Sequence, residues 1–196
     1  MEQGLVLAGG GVAGIAWELG MLMGIRDTSE SVWQSLVESD VIIGTSAGST
    51  VAAQISSGTP LDTLYERRDR ATRRDRVHEV DARIWPTVAI GTHRFVDGGV
   101  QSAANISLAR TCRRVIVLAP SQQPGPNLLG GSLGAEAEGL TKSLVHIIFA
   151  DEASVDAFGV NPLDPSTRLA SAMAGRAQGA QEAMVLAEFL GITAPH

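Results

Sequence analysis

Cysteine is almost absent from this chain of 196 residues: Cys112 stands alone. A single thiol excludes an intramolecular disulfide framework and a zinc site built from cysteines. Arg113 and Arg114 follow it, and neighbouring positive charge can depress a thiol pKa. No base partner lies nearby in sequence, so Cys112 reads as an incidental thiol. Positive charge is also in short supply, with 15 Lys and Arg against 21 Asp and Glu, a formal net charge of -6. Without an overall positive field, general nucleic-acid binding is disfavoured. Aromatic residues are only 4% of the chain, yet hydrophobic residues reach 44% and charged ones 18%. That balance excludes intrinsic disorder and suits one domain with a proper core, spanning residues 1–196.

No hydrophobic run is free of interruption. The longest, Leu5 to Ile25, has roughly the length of a membrane span, about 20 residues. It carries Glu18 and six glycines, and the acidic Glu2 precedes it where a signal peptide would carry positive charge. It reads instead as strand, glycine loop and buried helix. The expected location is cytoplasmic, with peripheral contact at a membrane surface left open. What the chain has in excess is glycine (22) and alanine (26), which favours helices packed closely on a sheet with several tight turns.

Short continuous apolar runs mark strands buried on both faces: Leu5 to Ala8, Val41 to Ile43, Val115 to Leu118 and Val145 to Phe149. Helical patterns separate them. One covers about Val12 to Asp27, with Trp17, Met21 and Ile25 on its core face; others cover Val32 to Glu38 and the small-residue stretch ending near Gly58. Pro60 opens a further helix that passes into the charged run Glu66 to Arg76. Val88 to Val96 has the pattern of a hairpin turning at Gly91-Thr92. Ser121 to Gly134 is rich in Pro, Gly and Ser and reads as a mobile loop. Asp164-Pro165-Ser166 starts a long C-terminal helix, in which Leu169, Met173, Ala177, Ala180, Met184 and Ala187 form one apolar face. Strands alternating with helices predict an α/β fold, a mainly parallel sheet covered on both sides.

Three segments at predicted strand ends carry the chemistry. Gly9-Gly10-Gly11-Val12-Ala13-Gly14 lies between a strand and a helix. A glycine-rich backbone there aims N–H groups at one point, and the helix dipole adds positive potential. Gly44-Thr45-Ser46-Ala47-Gly48 fits G-x-S-x-G in the strand-to-helix setting that lifts a serine hydroxyl clear of a sheet. The same serine could simply cap the following helix. Asp97-Gly98-Gly99 follows the strand containing Phe95 and Val96, and its carboxylate is a possible base for the serine. Taken alone, it is an ordinary Asp-Gly turn.

The order of these segments resembles the patatin-like phospholipase family. The resemblance extends through Ile15-Ala-Trp-Glu-Leu-Gly20, His93-Arg-Phe-Val-Asp-Gly-Gly-Val100 and Arg113-Arg-Val-Ile-Val-Leu-Ala-Pro120. It implies a three-layer α/β/α sandwich and a lipid acyl hydrolase of phospholipase A or carboxylesterase type, working through a Ser-Asp dyad. By motif, Ser46 is the nucleophile and Asp97 the base, with the N–H groups of Gly9, Gly10 and Gly11 as the oxyanion hole. Gly14, Gly44, Gly48, Gly98 and Gly99 support the turns. The implied substrate is a lipid or another acyl ester, with no cofactor and no metal. Two departures stand out. Val12-Ala13 occupy positions where many members carry Arg or Lys, so a charge that could attract a phosphate headgroup is missing. Only 50 residues separate Ser46 from Asp97, which implies a reduced or missing lid and core segment near 70–84.

Other readings compete. A Ser46-Asp97-His146 triad would be the order of an α/β-hydrolase, although His146 lies inside an apolar run where a structural histidine is expected. The glycine loop could bind a dinucleotide through Gly9, Gly11 and Gly14, which requires an acidic residue about 20 positions on; Asp27 and Glu30 are the nearest. The arginines at 67, 68, 70, 73, 74 and 76 could dock to anionic lipid, but Glu66, Asp69 and Asp75 interleave with them.

Overall fold

A computed structural model describes residues 1–66, 88–90, 93–95, 98–122 and 132–192. Asp97, the arginine run, the segment near 70–84 and the Gly91-Thr92 turn lie outside the described residues, as does most of the Pro/Gly/Ser-rich loop. The first apolar run becomes β1, Gln3–Leu7, and the glycine loop leads into α1, Gly11–Thr28. Then come α2, Glu30–Val37, and β2, Val41–Gly44. The serine turn feeds α3, Ala47–Ile55, followed by α4, Leu61–Glu66. A two-stranded antiparallel ribbon joins β3, Val88–Ile90, to β4, His93–Phe95. Further along are β5, Arg114–Ala119, α5, Leu133–Glu138, β6, Leu144–Phe149, and α6, Glu152–Phe158. The last long element is α7, Arg168–Leu190.

Strands β2, β1, β5 and β6 form one sheet in that order, with every pairing parallel. The period of two along each strand sends side chains to two separate cores. Leu5, Leu7, Ile116, Leu118 and Ile148 meet α1, α2, α3, α4, α6 and α7 on one face. Val6, Val115, Val117 and Ala119 meet Leu133, Leu140 and the 3-10 turn Ile106–Ala109 on the other. This is an α/β architecture with a mainly parallel sheet covered on both faces, as the alternation of runs implied. Trp17, Met21 and Ile25 are fully buried, as their spacing predicted. The indole N–H of Trp17 reaches Ser154 Oγ at 3.0 Å and Gln178 Oε1 at 3.1 Å, which ties α1 to α6 and α7.

Two expectations are corrected. The face of α7 formed by Leu169, Met173, Ala177, Ala180 and Met184 is turned to solvent; of that set only Ala187 is buried. The buried face is instead Ser171, Ala172, Gly175, Gln178, Gly179, Ala183, Leu186 and Leu190. The cause is the close approach of α7 to α1. A side chain at Gly20 or Gly24 would strike the carbonyls of Ala172 or Arg176, and one at Gly175 or Gly179 would strike those of Trp17 or Met21. Small residues therefore line this interface, where large apolar ones could not fit. The second correction concerns the Pro/Gly/Ser-rich loop, whose final residues are not loop. Ser132 caps α5 by accepting a hydrogen bond from the Ala135 N–H at 3.2 Å, and the helix begins at Leu133. Among the described residues, no helix is long and apolar enough to cross a membrane.

Candidate active site

The glycine loop and the serine turn meet at the carboxyl ends of β1 and β2, the edge where open parallel sheets place their ligands. Parallel pairing matches Leu7 with Gly44, so each chain leaves the sheet at the same level. Thr45 N–H donates to the Leu7 carbonyl at 3.0 Å, and Gly48 N–H to that of Ala8 at 3.1 Å. The start of α3 thus lies directly against β1. A Cβ at Gly48 would collide with the Leu7 carbonyl, so only glycine permits this approach.

Between these anchors Ser46 adopts φ 51° and ψ -110° and is exposed to solvent. A non-glycine residue in that region costs on the order of 1–3 kcal/mol and persists only where its surroundings hold it. Ser46 stands at the N-cap position of α3, but its side chain makes no capping bond to the helix. The strain holds the hydroxyl outside the helix, at the helix N-terminus. Negative charge that forms there faces the positive end of the α3 dipole.

Gly9 faces Ser46 closely: a Cβ built on Gly9 would lie 3.7 Å from the Ser46 Cβ. The Gly9 N–H, however, donates to the Ala103 carbonyl at 2.8 Å and is committed there. For the N–H groups of Gly10 and Gly11 there is no acceptor among the described residues. Gly11 has φ 65°, a left-handed conformation that suits glycine, and a side chain on it would press on the Pro162 carbonyl at 2.8 Å. Gly14 packs on Pro120 and Ala47, which brings α1 against the serine turn.

Asp97 itself lies outside the described residues, but its neighbour does not. Gly98 sits against Thr45: a Cβ on it would be 3.9 Å from Thr45 Cγ2 and 3.5 Å from Asn105 Nδ2. Gly98 begins the 3-10 turn Gly98–Val100, which includes Gly99. The segment after Asp97 therefore meets the segment before Ser46. Asn105 sits between them and donates to Thr45 Oγ1 at 2.9 Å. Nothing in the sequence singled out this asparagine, because its partners lie 60 positions back and seven positions back along the chain.

The other readings lose their geometry. His146 pairs in register with Ile116, which pairs through Leu5 with Ile42. It lies mid-strand, three strand spacings or about 14 Å from β2, and stacks on Phe189 with ring centroids 5.3 Å apart. It cannot complete a triad with Ser46. Asp27 lies at the far end of α1, roughly 24 Å from the glycine loop at 1.5 Å per residue. There it pairs with Arg176 at 2.6 Å, while β2 leads into the serine turn with no acidic residue at its end. Glu30 opens α2 beside it. The dinucleotide arrangement is not assembled. Burial pushes the Cys112 thiol up, despite the arginines beside it in sequence.

Glu18 is the unusual group beneath the site. It is 0% exposed, and neither carboxyl oxygen has a hydrogen-bond partner among the described residues. Burial holds its pKa well above the ordinary value, with the Ala8 backbone offsetting only part of the shift. The native state therefore holds this proton more tightly than the unfolded chain does. Its contribution to stability is complete below the unfolded pKa, about 4.3, and is lost as pH rises toward the higher folded value. Replacing Glu18→Met is expected to raise Tm more at pH 8 than at pH 5. Thermal unfolding at both pH values checks this, and equal increments would contradict it.

Residues 5–88 match the family model for patatin-like phospholipase. No curated protein matches the chain. The matched stretch holds β1, the glycine loop, α1 and the serine turn, the parts from which this site is built. Over that stretch the chain is similar to the patatin-like phospholipases.

Proposed function

We propose that the protein cleaves fatty acyl esters through a Ser-Asp dyad, with Ser46 as nucleophile and Asp97 as base. The observation that carries this reading is the strained, exposed Ser46, held at a helix N-terminus beside a glycine loop with two N–H groups that have no acceptor among the described residues. Those of Gly10 and Gly11 are the oxyanion donors; Gly9 anchors the loop through Ala103. Ser46 Oγ attacks the ester carbonyl carbon as Asp97 accepts its proton. The carbonyl oxygen becomes an oxyanion, stabilised by Gly10 and Gly11. When the tetrahedral species collapses, the bond to the alcohol breaks and Asp97 passes the proton to the departing oxygen. Water then attacks the acyl-enzyme, Asp97 takes the water proton, and Ser46 leaves with a proton as the fatty acid is released.

Val12-Ala13 place no cation in the loop, which favours esters without a phosphate headgroup. Action at a membrane surface would be peripheral.

A fluorophosphonate probe followed by peptide mass spectrometry tests the chemistry directly. The adduct is expected on Ser46, with the labelling rate reduced at least about 100-fold in Asp97→Asn, in line with the loss of a general base. A folded wild-type protein that carries no adduct on Ser46 overturns the proposal. Undiminished labelling in Asp97→Asn removes Asp97 from the dyad.

A further inference from the structure

Asn105 joins the two arms of the site, and its geometry is unusual in several respects. It has φ 54° and ψ 39°, one of two non-glycine residues with positive φ among those described; the other is Ser46. Its Nδ2 lies 2.9 Å from Thr45 Oγ1, 3.1 Å from the Ser102 carbonyl and 3.3 Å from the Gly98 carbonyl. Two of those partners are carbonyls, which can only accept, so the amide is oriented without ambiguity. Its own backbone N–H donates to Ser102 Oγ at 2.7 Å, and Ser102 Oγ donates to Glu136 Oε2 at 2.8 Å. A continuous chain of hydrogen bonds thus runs from Glu136 on α5 through Ser102 and Asn105 to Thr45. Thr45 is 3% exposed and directly precedes Ser46. Gly98 directly follows Asp97.

We infer that Asn105 is a positioning residue that fixes the separation of nucleophile and base, by holding Thr45 Oγ1 and the Gly98 carbonyl on one amide group. The inference rests on the Ser46-Asp97 reading and adds to it. The nucleophile follows β2 of the main sheet, while Gly98, next in sequence to the base, follows the β3–β4 ribbon, a separate two-stranded sheet. No strand pairing among the described residues joins Thr45 to Gly98, whereas the Asn105 amide donates to both. An error of about 1 Å in such a distance costs on the order of 100-fold in rate. The left-handed backbone at Asn105 directs the amide at both targets at once, and asparagine tolerates that conformation better than most residues.

The test compares Thr45→Val, Thr45→Ser and Asn105→Gly with wild type, using a soluble p-nitrophenyl acyl ester. Valine has the shape of threonine but offers no acceptor, serine restores the hydroxyl, and glycine accepts the left-handed backbone. Expected is a fall in kcat of about 10- to 100-fold for Thr45→Val and Asn105→Gly, with KM within twofold. Thr45→Ser is expected to keep most of the activity, and the double variant Thr45→Val with Asn105→Gly to be no slower than the worse single one, as for partners in one bond. Wild-type kcat in Thr45→Val overturns the inference. So does a Thr45→Ser variant as slow as Thr45→Val, since that places the effect in packing. Additive losses in the double variant also overturn it. A wild-type protein inert toward both ester and fluorophosphonate sinks the dyad reading itself, and this inference with it.

Discussion

Ser46→Ala is expected to lower ester hydrolysis by about 10⁴-fold or more, the scale on which serine hydrolases depend on their nucleophile. It should do so without loss of stability. Alanine at this position keeps the backbone of the turn and removes a hydroxyl for which no hydrogen bond ties it to α3. The anchors of the turn are main-chain bonds, Thr45 N–H to the Leu7 carbonyl and Gly48 N–H to that of Ala8, and the substitution touches neither. Alanine does inherit the strain at φ 51°, so Tm should change little in either direction. Activity against a soluble ester and thermal unfolding, measured on the same preparation, check both halves. Substantial turnover in folded Ser46→Ala would mean that the exposed serine serves another purpose and that the strained turn is structural.

The serine turn was legible in the sequence because every requirement it makes is local. A buried strand, two small residues on each side of the serine and an alanine-rich helix occur within about 15 consecutive positions, and each residue type has a steric reason. The glycine loop was legible for the same reason, but its inner division of labour was not. That Gly9 spends its N–H on Ala103 depends on a segment nearly a hundred residues away. Asn105 escaped notice on similar grounds, since an asparagine after Ala103-Ala104 has no pattern of its own until the fold brings Thr45 beside it. His146 shows the opposite case. Its chain order suited a triad, and only strand order placed it on the far side of the sheet.

The α1–α7 contact departs furthest from the pattern in the sequence, and it supports the second large prediction. Leu169, Met173 and Met184 form a regular stripe that periodicity assigns to a core, yet they are 44%, 59% and 55% exposed. Periodicity measures where apolar side chains recur; it does not measure how near two backbones must come. Here the approach is set by glycines, Gly20 and Gly24 on α1 facing Gly175 and Gly179 on α7, each under a carbonyl of the other helix. Gly24→Ala would ordinarily stabilise a helix interior by about 1 kcal/mol. At this position the new methyl meets the Arg176 carbonyl and lies 2.8 Å from the Ala180 nitrogen, both main-chain atoms that cannot swing away. Separating the helices would also open gaps around Trp17 and Met21, which are fully buried between them. The expected outcome is a net loss of about 1–3 kcal/mol, the usual range for overpacking. For a domain of this size that is a fall in Tm of roughly 2–12 °C. Met173→Lys, on the exposed stripe of the same helix, should change stability by no more than about 0.5 kcal/mol. Chemical denaturation of the two variants beside wild type distinguishes the accounts. If Met173→Lys proves the more damaging, the stripe is the packed face and the helix is rotated from the position described.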